Sequence, residues 1–222
     1  MRHKLATALG AVCLMTLAPV ANADPAEGQA VFEAKECVAC HYTEGPAREK
    51  NIEDQLAKMG PELWYAGDKF QAEWLTAWLA DPQPIRPMKF NSLTEENPGG
   101  HPELSGDESA SVGEYLMSLV SGEVEAGTVK VKKNSKGRQI FTKKMPCSGC
   151  HQYVGRKKNT TGGRSGPSLV GAGDRLNPDW ILAYLQKPEV FKPVKMMPVF
   201  VGLLSDKDMA NVASYVGNFK AK

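Results

Sequence analysis

Two pentapeptides hold the residues best placed to do chemistry: CVACH at residues 37–41 and CSGCH at residues 147–151. Both read C-x-x-C-H, the attachment pattern of covalently bound haem. The spacing has a physical reason. Two thiols three positions apart on a helical turn can reach the two vinyl groups of one porphyrin and form thioethers. Cys37 and Cys40 would hold one porphyrin, and Cys147 and Cys150 a second. The next residue, His41 or His151, then lies under the iron and can donate a ring nitrogen. The main rival is zinc, but paired C-x-x-C zinc sites stand about 15–20 residues apart, and 106 residues separate Cys40 from Cys147. A thioredoxin-like dithiol would sit in a βαβ pattern, and neither motif does. An even cysteine count in an exported chain would ordinarily suggest disulfides, but the C-x-x-C-H spacing argues for haem.

The N-terminus explains where such attachment would occur. Arg2 and Lys4 precede an apolar run from Leu5 to Val20, and Ala21-Asn22-Ala23 fits the small-x-small rule for cleavage. Residues 1–23 therefore read as a secretory signal peptide, cut before Asp24. An uncleaved anchor is the rival, but the run is short for a membrane span, which needs about 20 residues. The fifth cysteine, Cys13, falls inside this run. The expected product is an exported, periplasmic protein that is not integral to the membrane.

Charge is divided unevenly along the chain. Residues 24–122 hold 7 basic against 18 acidic side chains, and residues 123–222 hold 18 against 7. Such a split gives a dipole able to orient partners on encounter. No helix or short run concentrates the positive charge, so neither nucleic acid nor a membrane surface is indicated as a partner.

The chain repeats itself. GQAVFEAKECVACH (28–41) matches GRQIFTKKMPCSGCH (137–151), with one extra residue in the second. GPELWYAGDKFQAEWL (60–75) matches GPSLVGAGDRLNPDWI (166–181), and LSGDESASVGEYL (104–116) matches LSDKDMANVASYV (204–216). Three blocks in the same order mark a tandem duplication, one haem to each copy. The same blocks define the elements that must position the motifs. A helix precedes each cysteine pair, with Gly28 and Phe32 matched by Gly137 and Phe141. A second surrounds Trp74-Leu75-Trp78-Leu79, matched by Trp180-Ile181-Tyr184-Leu185, where Asn177-Pro178 reads as an N-cap and then a proline at the first helical position. A third opens at the capping box Ser105–Glu108 and at its variant Ser205–Asp208. Most of these aromatics read as core. No strand pattern lies between the helices, so the fold class is all-α. The expected organisation is a first domain at 24–122, a linker at 123–133 and a second domain at 134–222.

The order helix, C-x-x-C-H, Gly-Pro loop, helix, methionine loop, capped helix resembles class I cytochromes c, doubled as in bacterial two-domain dihaem cytochromes. The resemblance implies two covalently bound haem c groups. It implies that the Pro61 carbonyl holds the free ring nitrogen of His41, and the Pro167 carbonyl that of His151. It also implies a methionine on the far side of each iron. Met197, in Met-Pro-x-Phe form, is the expected sixth ligand of the second haem, with Met196 one residue off. Met88 in IRPMKF (85–90) is the expected ligand of the first, although lysine stands after it where the family has proline. His101 competes with Met88, being the one histidine of residues 24–222 outside the two motifs.

The function implied is that of a periplasmic electron carrier, which passes single electrons between redox protein partners and does no bond chemistry. One alternative is a haem subunit of a larger dehydrogenase complex, with unchanged chemistry. Another is a peroxidase-type dihaem enzyme, which needs an available iron site and a low-potential partner haem. Thiosulfate-oxidising relatives with a cysteine as sixth ligand are excluded by count, because the two motifs use every cysteine beyond residue 23.

Overall fold

The computed structural model describes residues 24–145 and 147–221. The expected signal peptide, residues 1–23, lies outside them. The first copy runs through α1 (Pro25–Ala34), α2 (Ile52–Ala57), α3 (Ala66–Lys69), α4 (Ala72–Ala80) and α5 (Gly106–Ser118). The second runs through α6 (Ser135–Gln139), α7 (Cys147–Cys150), α8 (Ala172–Arg175), α9 (Pro178–Gln186), α10 (Pro188–Phe191) and α11 (Asp206–Val216). The fold is all-α apart from a two-residue hairpin, β1 (Tyr153–Val154) against β2 (Thr160–Thr161), which closes the basic loop between them.

The caps form where the side chains for them stand. Ser105 accepts from the Glu108 N–H while Glu108 reaches back to the Ser105 N–H, so two orphan donors of α5 are satisfied at once. Ser205 accepts from Asp208 at the start of α11, and Asn177 from Asp179 ahead of Pro178 at the start of α9. In each copy the first helix crosses the last. Gly28 permits one crossing and Gly137 the other: a Cβ at either would collide with the carbonyl of Ser111 or Asn211. This close approach is why glycine recurs there. It also brings Phe32 edge-on to Tyr115 at 5.5 Å, and Phe141 to Tyr215 at 5.7 Å.

The extra residue of the second copy has a definite place. Residues Ile140–Lys144 wind as a π turn at the end of α6, and the Met145 N–H bonds the Ile140 carbonyl five residues back. A π turn absorbs one residue without breaking the helix. The insertion is thus taken up before Cys147, and the motif keeps its own geometry.

The two copies pack about a local two-fold relationship. Phe70 and Leu176, matched positions in the repeat, face each other in an antiparallel bridge. The Gln71 N–H donates to the Arg175 carbonyl at 2.9 Å, and the Asn177 N–H to the Lys69 carbonyl at 2.8 Å. These two bonds exchange equivalent residues. Aromatic rings fill the seam beside them: Tyr65 stacks on Trp180 at 6.2 Å, and Phe191 meets Tyr65 at 5.1 Å and Trp64 at 6.3 Å. The connecting segment is fastened to the second copy. The N–H groups of Gly127 and Val129 both donate to the Asp179 carboxylate at 2.7 Å, and the Ser214 hydroxyl donates to the Lys130 carbonyl.

Candidate haem-binding sites

Each C-x-x-C-H motif is one helical turn. The His41 N–H donates to the Cys37 carbonyl and the His151 N–H to the Cys147 carbonyl, both at 3.0 Å. No disulfide joins Cys37, Cys40, Cys147 or Cys150. Burial pushes the Cys147 thiol up to about 11 and raises that of Cys37. A poised redox dithiol has the opposite perturbation, a lowered pKa. Among the described residues no group of three or more His, Cys, Asp or Glu side chains stands together as a zinc site would require.

Both motif histidines are fixed in the same way. His41 Nδ1 donates to the Pro61 carbonyl and His151 Nδ1 to the Pro167 carbonyl, each at 2.7 Å. The carbonyl can only accept, so the proton sits on Nδ1 and Nε2 carries the lone pair. Burial lowers the pKa of both rings, against the opposing pull of the proline carbonyls, and so favours the neutral, metal-binding form. The glycine before each proline backs the ring. A Cβ on Gly60 would lie 2.6 Å from His41 Cε1, and one on Gly166 2.7 Å from His151 Cε1. The donor set fits a haem iron: a neutral imidazole with its second nitrogen anchored, one residue after two thiols on the same turn.

The far sides differ between the copies. Met197 is half-buried and lines a small cleft with Tyr184, Leu185, Pro198 and Phe200, whereas its neighbour Met196 is 59 % exposed. In the first copy Met88 is buried, at 4 % exposure, in a strap where it bridges Glu96. The His101 ring centre stands 6.0 Å from that of His41.

The cytochrome c family model matches the chain twice, over residues 25–120 and 135–220. The chain belongs to the cytochrome c family. No curated protein matches it significantly. Its two cytochrome c domains each take a covalently bound c-type haem, and they give the protein a haem-based electron-transfer role. No helix among the described residues is long and apolar enough to cross a membrane.

The loops that carry these sites also join the two cytochrome c domains. The Ser168 N–H, next to Pro167, donates to the Ile85 carbonyl at 2.8 Å, and the Arg86 guanidinium donates to the Ser165 carbonyl. The Gln55 amide, oriented to satisfy its neighbours, donates to Glu49 and, across the seam, to the Val194 carbonyl. Lys58 pairs there with the buried carboxylates of Glu49 and Glu62. Sequence reasoning misses Gln55, Glu49 and Arg86. Their only signal is charge and amide in otherwise ordinary loops, and their partners are set by how the copies meet.

Proposed function

We propose that this chain is an exported, periplasmic dihaem carrier that moves single electrons between protein partners. The observation that carries this reading is the twofold recurrence of one arrangement: a C-x-x-C-H turn whose histidine holds a proline carbonyl at 2.7 Å. Bound haem supplies an iron that accepts and returns one electron. Cys37 and Cys40, and Cys147 and Cys150, would hold the porphyrins as thioethers. His41 and His151 would donate Nε2, with their rings kept from turning by the carbonyls of Pro61 and Pro167. Met197 is the proposed sixth ligand of the second haem, supported by its place in the cleft under Tyr184. For the first haem the candidates are Met88, which the family resemblance implies, and His101, whose ring centre stands 6.0 Å from that of His41.

Seam geometry favours transfer within the chain. From His151 the path runs through the Pro167 carbonyl to Ser168, and across one hydrogen bond to Ile85 in the strap that bears Met88. The opposed net charges of residues 24–122 and 123–222 favour a different partner at each end.

The test is a spectroelectrochemical titration of the purified chain, paired with carbon monoxide addition to the reduced protein. The expected result is two one-electron waves and no carbon monoxide binding. A haem that binds carbon monoxide, with hydrogen peroxide turnover by the same protein, would replace the carrier with an enzyme.

A further inference from the structure

We infer that His101 is the sixth ligand of the first haem, which makes that iron bis-histidine and the second histidine–methionine. This rests on the reading that His41 binds the first iron, and goes beyond it in three independent observations.

Spacing is the first. A metal–imidazole bond is about 2.0–2.1 Å, and two such bonds in line, with a ring's half-width added at each end, separate the ring centres by about 6 Å. The His41 and His101 rings stand 6.0 Å apart. Tautomer is the second. His101 Nδ1 donates to the Pro102 carbonyl at 2.8 Å, as the two motif histidines donate to Pro61 and Pro167. All three histidines of the described chain thus have Nδ1 anchored on a proline carbonyl and Nε2 left to donate. Position is the third. Trp78 on α4 and Tyr184 on α9 are equivalent residues. Tyr184 lines the cleft that holds Met197, and Trp78 stands 4.7 Å, ring to ring, from His101. His101 therefore takes the place in the first copy that Met197 takes in the second.

Met88 lacks these features. A side chain that binds iron must turn its donor atom towards surface that protein does not fill. His41, His101, His151 and Met197 all keep such surface, whereas protein encloses Met88 to 4 % exposure. The strap around it is knitted by the bonds Lys89 N–H to Glu95 and Asn97 N–H to Pro87. This excursion, absent from the second copy, carries the chain past Met88 and delivers His101.

The assignment gives the electron path a direction. A thioether ligand raises the potential of a haem relative to imidazole, so the first haem is the lower-potential centre. An electron that reaches either centre therefore settles on the second haem, in the basic domain.

The test uses the full chain, with two attached haems verified by mass. In the oxidised protein the near-infrared methionine–iron band should have the intensity of one haem per chain, half that of a doubly methionine-ligated protein. It should vanish in Met197→Leu and persist unchanged in Met88→Leu. In His101→Ala the reduced first haem should bind carbon monoxide. A wild-type band of two-haem intensity that halves in Met88→Leu would overturn the assignment. A chain of correct sequence carrying fewer than two haems would instead overturn the reading of the sites themselves.

Discussion

Lys69 and Arg175 are equivalent residues of the two copies, and each lies over the other copy's tryptophan. Lys69 Nζ is 5.2 Å from the Trp180 ring centre, and Arg175 Cζ is 5.7 Å from that of Trp74. The backbone of the same two residues accepts the reciprocal hydrogen bonds of the seam. The two cations differ in their other contacts. Arg175 also donates to the Ser168 carbonyl at 2.6 Å, whereas Lys69 meets the faces of Tyr65 and Phe70. No salt bridge to Lys69 forms among the described residues.

Burial pushes the Lys69 ammonium down to about 7, helped by Lys192 and Arg175 nearby, from an ordinary value of 10.5. The unfolded chain therefore binds more protons here between those two values, and the stability contributed by this position rises with pH across that window. Lys69→Met removes a charge that the seam desolvates. It should raise stability by about 1–3 kcal/mol at pH 6, with most of the gain gone by pH 10. Denaturant midpoints of the two proteins at both pH values check this.

Glu49 should show the opposite dependence. Burial works against its carboxylate, but the bond from Lys58 prevails and holds the pKa below the usual value of 4.5. Its contribution is present above that value and lost as the pH falls through the folded pKa. Glu49→Gln leaves Lys58 with Glu62 alone. At pH 7 it should cost about 1.5–3 kcal/mol, the range for losing a hydrogen bond to a charged group, and the difference from wild type should close in acid. Thermal unfolding at pH 7 and at about pH 3 measures it.

Gly60 and Gly166 predict a change at the iron. Alanine at either would drive a methyl group into the imidazole behind it, at 2.6–2.7 Å from Cε1. Overpacking of this kind costs about 1–3 kcal/mol. Gly166→Ala should lower the melting temperature and alter the spectrum of the second haem while leaving the first unchanged. Gly60→Ala should do the reverse.

Asp179 predicts the behaviour of the connecting segment. Two backbone N–H groups lose their acceptor in Asp179→Ala, at a cost of about 2–3 kcal/mol. Proteolysis should then cut within residues 123–133 faster than in wild type, and mass spectrometry of the fragments locates the cut.

The local features of this fold are legible in the sequence because local physics makes them. Ser105 with Glu108, Asn177 with Pro178, and each cysteine pair with its histidine act across two to five neighbouring residues. The repeat makes them more legible still, since a glycine kept at positions 28 and 137 marks a helix crossing. The seam is not legible in this way. Tyr65 corresponds to Gly171 and Trp64 to Val170, so the rings that fill the seam come from one copy only at these positions. Their contact with Trp180 and Phe191 depends on how the copies turn against each other. The far side of the first haem shows the same limit. Met88 keeps only part of the family's local pattern, a methionine with a phenylalanine close behind it but no proline between them, whereas the placement of His101 depends on a strap whose return path no short motif records.

The reciprocal bonds at Phe70 and Leu176 have a consequence for assembly. A contact that exchanges equivalent residues is isologous: it is complete once two copies have met, and it presents no unmatched half to a third. Head-to-tail packing of the same domains would have left an open end at each terminus, and with it a route to filaments. At this contact the two duplicated domains close on each other, whatever the length of chain that joins the pair.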